Sequence, residues 1–600
     1  MRRSGEPRRA MRGRAELREA CRFDHFAGHD STIKTQRVGG AGTRDLPTPP
    51  MRVERLTNRQ FTIEPHTHRL RAEDTLHLEH DVVDKLSLHG PESIRVGRPD
   101  ASQRVVKSRP HGSLPIIRLV NQALRETPEQ EVKLSFAPGF RLPELPGHEL
   151  EPRVFTSTYY DSADRVLAST GITLRRRTEN GKSLWQLKLP RDDSRLEVEV
   201  AAGPAGPPTE LQELLVGVLR GRELEQAAKL RTRRSGIRVR EAKRTVADVL
   251  VDDVSVLDGR RVTARFKELE VELVEGDDRG ITRIAKALQK AGAVETDGRP
   301  KLFRALGIER FDAEISPAGS DAPELVRSML ARQLADLLVN DPGTRLGTDP
   351  ENLHRMRVAT RRSRAALRAA RPLLEPEWTE SLRGELAWLG GVLGAVRDLD
   401  VLLDNLEKEI STLDRRERKA ARRLLVLIEN DRQTARRSLL EALTGDRYRE
   451  LLARLEEATV TLPVRNESFP VRNLAKRAFR KLQKQMRLVG PETTDSELHR
   501  ARIAGKRARY AAELAEPLVG KSASRFVKRA KEFQDVIGQH QDAVVAEARV
   551  RELTAKLGGV AEAFAAGRLV EQQRERRRAA RAALPSVWVK LDREGRRAWS

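Results

Sequence analysis

The chain has 600 residues, with 113 Lys+Arg against 88 Asp+Glu, one cysteine and 4% aromatics, a length that predicts several domains. Its lone Cys21 excludes a disulfide framework and any multi-cysteine metal site. No apolar run approaches the roughly 18 residues a membrane span needs, and no apolar stretch follows the Arg-rich start as a secretory signal would require, so a cytoplasmic protein without membrane contact is expected.

The formal net charge of +25 points to an anionic partner. Residues 1–125 carry 24 basic and 15 acidic side chains, 126–320 carry 33 of each, and 321–600 carry 56 and 40. The balanced middle suits a site holding metal and anion together. The basic last third suits a polyanion. Nucleic acid is disfavoured, because single-strand binders stack bases on aromatics and this chain has few.

Residues 1–110 lack a sustained period and are broken by GGAGTRDLPTPP and HGPESIRVGRPD. We expect 1–125 to be a disordered basic arm or a mis-started extension, with His66/His68 and His77/His80 belonging to it rather than to a metal site. From 126 to 312 the pattern becomes short alternating segments: EQEVKLSF (129–136), VFTSTYYD (154–161), ITLRRRTE (172–179), LWQLKLP (184–190), RLEVEV (195–200), IRVREAK (237–243), TVADVLVDD (245–253) and ARFKELEVELV (264–274). These predict antiparallel strands. TELQELLVGVLRG (209–221) and GITRIAKALQKAG (280–292) predict helices. A linker follows at 313–323, then a helical region over 324–583 and a tail over 584–600.

The helical region contains a repeat. LHRMRVATRRSRA (353–365) matches LHRARIAGKRARY (498–510) at seven of thirteen positions, at an offset of 145. VLGAVRDLDVL (392–402) matches VIGQHQDAVVA (536–546) at an offset of 144, pairing Asp398 with Asp542. Two ordered matches indicate a duplicated unit, about 324–465 and 470–583. His354, Arg357, Arg361, Arg364 and Arg368 form one stripe on a helix, and the copy gives His499, Arg502, Lys506 and Arg509. The stripe flanks the apolar set Met356, Ala359, Leu367, Ala370 and Leu374, so it should line a groove. Charge runs are usually solvated faces, but these stripes carry almost no compensating Glu.

In the alternating region Glu129, Glu131 and Lys133 share a face, as do Arg175 and Arg177, then Lys188, then Arg195, Glu197 and Glu199, with Arg231/Arg233 and Glu268/Glu270/Glu272 completing the series. For a single strand a solvated outer face is the plain reading. Inside a closed sheet the same faces would line a cavity, where carboxylates need cations and hard divalent ions with basic partners suit phosphate.

The EQEVK start, TYYDSADRVLASTGITLRRR, LWQLKLP, RLEVEV, KLRTRRSGIRV, VLVDDVSV, KELEVEL and PKLFRAL resemble, in order, the CYTH family of triphosphate tunnel metalloenzymes. The resemblance implies an eight-stranded antiparallel β tunnel that hydrolyses triphosphate-bearing substrates with Mg²⁺ or Mn²⁺. It implies metal ligands at Glu129, Glu131, Glu270 and Glu272. Phosphate would be gripped by Lys133, Arg175, Arg177, Lys188, Arg231, Arg233 and Lys301, with Arg195, Glu197, Glu199 and Asp252 in support. Pro300 stands where the family pattern has Ser. LHRMRVATRRSRAALR, LAWLGGVLGAVRDLDVLL, LHRARIAGKRARYAAEL and FQDVIGQHQDA resemble the CHAD family. That implies two pseudo-symmetric four-helix bundles with a basic groove for inorganic polyphosphate, lined by His354, Arg357, Arg361, Arg364, His499, Arg502, Lys506 and Arg509. The combined expectation is a multidomain α+β protein that binds polyphosphate, with association to polyphosphate granules expected, and hydrolyses tripolyphosphate or polyphosphate. Alternatives are a non-catalytic polyphosphate-targeting protein, or a tunnel acting on thiamine triphosphate or cyclising ATP.

Overall fold

The computed structural model describes residues 124–600, apart from 192–193, 202, 204–205, 242–243, 297, 309–321, 466–469 and 600. The expected arm before residue 124 and most of the expected linker lie outside the described residues.

The β domain closes on itself through one interrupted strand. Arg125–Glu129 (β1) and Glu131–Ser135 (β2) are separated only by Gln130. β1 pairs antiparallel with Ser194–Ala201 (β6), while β2 pairs antiparallel with Arg261–Leu273 (β9). Between them run Lys182–Arg191 (β5), Thr173–Glu179 (β4), Gly147–Asp161 (β3), Glu225–Glu241 (β7) and Arg244–Asp258 (β8), in the order β6-β5-β4-β3-β7-β8-β9. Counting β1 and β2 as one stave, the barrel has eight. The two-residue β10 (Val294–Glu295) pairs with β2 from outside the ring.

The barrel is inside-out, and strand alternation explains why. Trp185, Leu187 and Val198 point outward and are buried beneath Leu211, Leu214, Leu215 and Val218 of helix Thr209–Leu219, which we call α2 after the short α1 (Val166–Ser169). Val249, Leu269 and Val271 are covered in the same way by Ile281, Ile284 and Leu288 of α3 (Asp278–Lys290). The alternate residues, Lys188, Glu197, Glu270 and Glu272, must then face the lumen. A short α4 (Lys301–Leu306) follows.

The helical domain shows its duplication in the element starts. Helices α6 (Pro350–Ala369), α7 (Pro376–Ser411) and α8 (Arg415–Thr444) recur as α11 (Asp495–Val519), α12 (Lys521–Leu557) and α13 (Val560–Trp599), each beginning 145 residues later. α5 (Ala322–Leu346) has its counterpart in α10 (Val471–Met486), and α9 (Asp446–Val460) sits between the units. Asp349 caps α6, accepting from the Glu351 amide at 2.9 Å, and Pro350 occupies the first turn, where no amide donor is needed. Met356, Ala359, Leu367, Ala370 and Leu374 are all buried, as their spacing requires. The expected tail at 584–600 is corrected: α13 runs to Trp599, and Leu584, Leu591 and Trp599 are buried in the helical core. Pro585 lies within α13, and the apolar positions beyond it continue the packing face.

The two domains pack against each other. Leu346 of α5 joins the apolar cluster under α2. Arg220, at the end of α2, makes two 2.9 Å hydrogen bonds to Glu456 of α9. Asp341 is buried in this contact, held by Arg345 at 2.6 Å and the Tyr448 hydroxyl at 2.9 Å. Gly217 of α2 has to be glycine here, because a Cβ would come within 2.5 Å of the Asp341 carboxylate.

Candidate active site and anion groove

The lumen brings together Glu129, Glu131, Lys133, Arg175, Arg177, Lys188, Arg195, Glu197, Arg234, Glu270, Glu272 and Lys301, with Tyr159, Thr173, Gln186 and Pro300 completing the wall. The β1–β2 interruption matters here: it puts Glu129 opposite Arg195 and Glu131 opposite Glu272. Carboxylate oxygens of Glu129, Glu131 and Glu272 all lie within 4.8 Å of one another. Burial pushes the Glu272 carboxyl up to about 7, with Glu270 adding like charge against the opposing pull of Arg234. Three carboxylates this close together, with Glu272 resisting ionisation, fit a hard divalent cation.

Around the trio the charges are paired. Lys188 donates to both oxygens of Glu129, the longer contact being 2.6 Å. Burial opposes ionisation of Glu129, but Lys188 and then Arg175 override it and lower its pKa. Glu270 stands apart from the trio. Lys301 reaches it at 2.6 Å, Arg234 at 2.8 Å and Lys133 at 3.3 Å, and these cations overcome its burial and hold its pKa well below the usual carboxylate range. Lys301 also contacts Asp252 and Glu268, each at 3.0 Å. Arg234 grips Asp252 through two hydrogen bonds of 2.8 and 2.7 Å. On the opposite wall Arg175 donates to Gln186 at 2.8 Å and approaches Glu197 at 3.8 Å. Arg177 stacks on Phe155 with its guanidinium 3.8 Å from the ring centroid.

In the helical domain the two stripes meet. Arg357 pairs with Asp398 of α7 at 2.9 Å. Arg361 donates to the Tyr510 hydroxyl of α11 at 2.6 Å. Burial lowers the Lys506 pKa to about 7, helped by the charges of Arg502, Arg361 and Arg357. Burial and the neighbouring Arg397 lower the His354 pKa. Arg364, Arg383, Arg397 and Arg502 each keep a buried Nε with no acceptor among the described residues. Arg383 is held by Glu380 through its terminal nitrogen, at 2.7 Å for the longer contact; the remaining crowded cations, short of acceptors, suit an anion.

Family comparison agrees with both halves. The CYTH domain model matches residues 127–299 and the CHAD domain model matches residues 328–551. The chain is a CYTH–CHAD protein. Two uncharacterized proteins of Mycobacterium tuberculosis are each 30% identical over 494 residues, 76% of this chain and 93% of theirs. Among solved structures, the CHAD domain from the plant Ricinus communis is 30% identical over 46% of this chain and 92% of that one, with a TM-score of 0.39. PptA from Streptomyces chartreusis is 22% identical over 45% of this chain and 99% of that one, with a TM-score of 0.38. CYTH domains are triphosphate tunnel metalloenzymes that use divalent ions for phosphoanhydride hydrolysis or cyclisation, and CHAD domains are associated with polyphosphate. Among the described residues, no helix of the CYTH–CHAD protein is long and apolar enough to cross a membrane.

Most expected site residues of the CYTH domain do meet in its lumen, but two do not. Arg231 and Arg233 are exposed on the outside of β7, whereas Leu230, Thr232 and Arg234 point inward. The run RTRR has charge in both phases, so alternation alone does not choose between them. Leu230, buried at 1% exposure, supplies the phase. Glu270 does line the lumen, but it falls outside the close carboxylate trio and is held by Lys301, Arg234 and Lys133 instead. Tyr159 and Gln186 carried no charge signal and were missed. Lys301 reaches the lumen despite Pro300, which occupies the N-cap position of α4. In the CHAD domain, Arg509 is corrected: it is buried at 7% exposure and pairs with Glu513 at 3.0 Å, so it packs between helices rather than offering charge to a groove. His499 bonds Gln541 at 2.9 Å through Nδ1. Arg397, beside His354, lies on α7, outside the stripe that the spacing marks.

Proposed function

We propose that the tunnel hydrolyses the phosphoanhydride bonds of inorganic tripolyphosphate or polyphosphate with Mg²⁺ or Mn²⁺, and that the CHAD groove holds the longer chain, in a cytoplasmic setting where polyphosphate gathers. The observation that carries this reading is the carboxylate trio, Glu129, Glu131 and Glu272, enclosed in one lumen with Arg175, Arg177, Lys188 and Arg195. Those three glutamates would hold the ion. When bound, it would supply charge neutralisation at phosphate oxygens and an activated water. Arg175, Arg177, Lys188 and Arg195 would bind and align the phosphates, which is most of what phosphoryl transfer asks of a protein. Lys133, Arg234 and Lys301 fix the glutamates by pairing with them, so the lumen reorganises little on binding.

The wall also favours an inorganic substrate. Apart from Tyr159 and Pro300, every lining side chain is charged or hydrogen-bonding, which leaves little apolar surface for a nucleobase or a thiazolium ring. The test is phosphate release by the full chain from tripolyphosphate, long-chain polyphosphate, thiamine triphosphate and ATP, with and without Mg²⁺ or Mn²⁺. The reading expects the inorganic chains to give the highest kcat/KM. A preference for thiamine triphosphate, or cyclic AMP formation from ATP, would replace it.

A further inference from the structure

The basic groove contains two carboxylates that a simple anion trap would omit. Asp398 and Asp542 occupy matching positions on α7 and α12, the second helices of their units after the stripe-bearing α6 and α11. Both are exposed. Asp398 pairs with Arg357 at 2.9 Å. Asp542 lies in the field of Arg502, of Arg576 on α13, and then of Asp398 and Lys506. Asp398 thus pairs with the first arginine of its stripe, and Asp542 holds the matching position in the other unit, within the electrostatic reach of Arg502, the first arginine of that stripe, and of Asp398.

We propose that Asp398 and Asp542 are resident counter-ions that set a minimum length for the anion the groove retains. This inference rests on the reading of the groove as a polyphosphate site. In the free protein the aspartates offset repulsion among Arg357, Arg361, Arg502 and Lys506. A bound phosphate chain must exchange with them or lie beside them, and either carries a fixed cost. Each additional phosphate that reaches another cation adds a favourable increment, reinforced by its tethering to the phosphates already bound. A fixed cost set against a length-dependent gain leaves short anions weakly held and long chains retained. Because exposed pairs are worth only about 1 kcal/mol or less, the exchange is easily reversible.

The test uses the full chain in EDTA, with fluorescent long-chain polyphosphate as the reporter and unlabelled chains from orthophosphate and tripolyphosphate upward as competitors. Displacement of the reporter reads the groove rather than the tunnel. Asp398→Asn and Asp542→Asn should each tighten tripolyphosphate by up to about fivefold. The reporter should tighten by a similar factor, and with the reporter held well below its Kd, so that half-displacement reads each competitor's own affinity, the shortest effective competitor should become shorter. The salt dependence should steepen, because less of the groove's charge is neutralised internally. Without ligand both variants should melt lower than the parent chain, and polyphosphate should restore the difference; Asp→Glu at either position should keep the parental threshold. Unchanged or weaker tripolyphosphate binding in both Asn variants would overturn the proposal while leaving the groove reading intact. If the parent chain itself fails to bind the reporter, the groove reading and this inference fail together.

Discussion

Two lysines, Lys301 buried and Lys506 half-buried, show how differently the two sites are built. In the tunnel, Lys301 touches Glu270, Asp252 and Glu268, and although burial works against its charge these carboxylates hold its pKa well above the usual lysine value. In the groove, Lys506 meets Arg502, Arg361 and Arg357, and burial with those like charges brings its pKa down to about 7. Burial opposes charge in both, so the sign of the neighbours decides the outcome. The tunnel is organised before any ligand arrives. The groove stores repulsion that an anion relieves.

The largest expected effect comes from breaking the pairing in the tunnel. Lys301→Met would leave Glu270 and Asp252, both almost fully buried, short of a cation, which should cost about 3–5 kcal/mol in denaturant unfolding. A loss below about 1 kcal/mol would mean that Arg234 and Lys133 suffice. Next in size is the groove. Arg357→Ala with Arg361→Ala, and separately Arg502→Ala with Lys506→Ala, should each weaken long-chain polyphosphate by about tenfold or more, and each lost contact should reduce the salt slope by about one. A loss confined to one pair would show that the two repeat units are not equivalent.

A pH titration sharpens the comparison. If bound anion returns Lys506 toward its ordinary 10.5, affinity should rise as pH falls from 10.5 to about 7 and then level off. Lys506→Arg should flatten that rise. In the free protein the depressed pKa means the folded state binds fewer protons than the unfolded state between about 7 and 10.5. Stability from this group therefore rises with pH across that window, and its full penalty is present below about 7. His354, lowered by burial and Arg397, should add charge only below the usual histidine range, at lower pH than its sequence position suggests.

How much of this was legible in the sequence depended on phase. Where apolar and charged residues alternate cleanly, as in RLEVEV and KELEVEL, both faces of the strand were readable. Which face lay inside was not, since an inside-out barrel and an ordinary sheet share that alternation; the helices α2 and α3 covering the apolar face settle it. RTRR was ambiguous because both of its phases are charged. The repeat fixed the architecture of the helical half, and it had already paired Asp398 with Asp542, though the place of that pair among the groove cations needed the fold. The domain contact had no sequence signal, because Leu346, Arg220 and Glu456 become neighbours only through tertiary packing. Its expected effect is the smallest here: Arg220→Ala should cost about 1 kcal/mol, since Glu456 remains partly exposed and can recover water.

The proposed role of Glu129, Glu131 and Glu272 is to hold a divalent ion for phosphoanhydride hydrolysis. Its most direct test is phosphate release from tripolyphosphate by the full chain during a Mn²⁺ titration after EDTA treatment, in the parent and in Glu131→Gln. The expected result is no turnover in EDTA, saturable recovery with Mn²⁺ in the parent, and at least about a hundredfold lower activity in Glu131→Gln with the melting temperature nearly kept. Full activity in EDTA, or parental activity in Glu131→Gln, would contradict it.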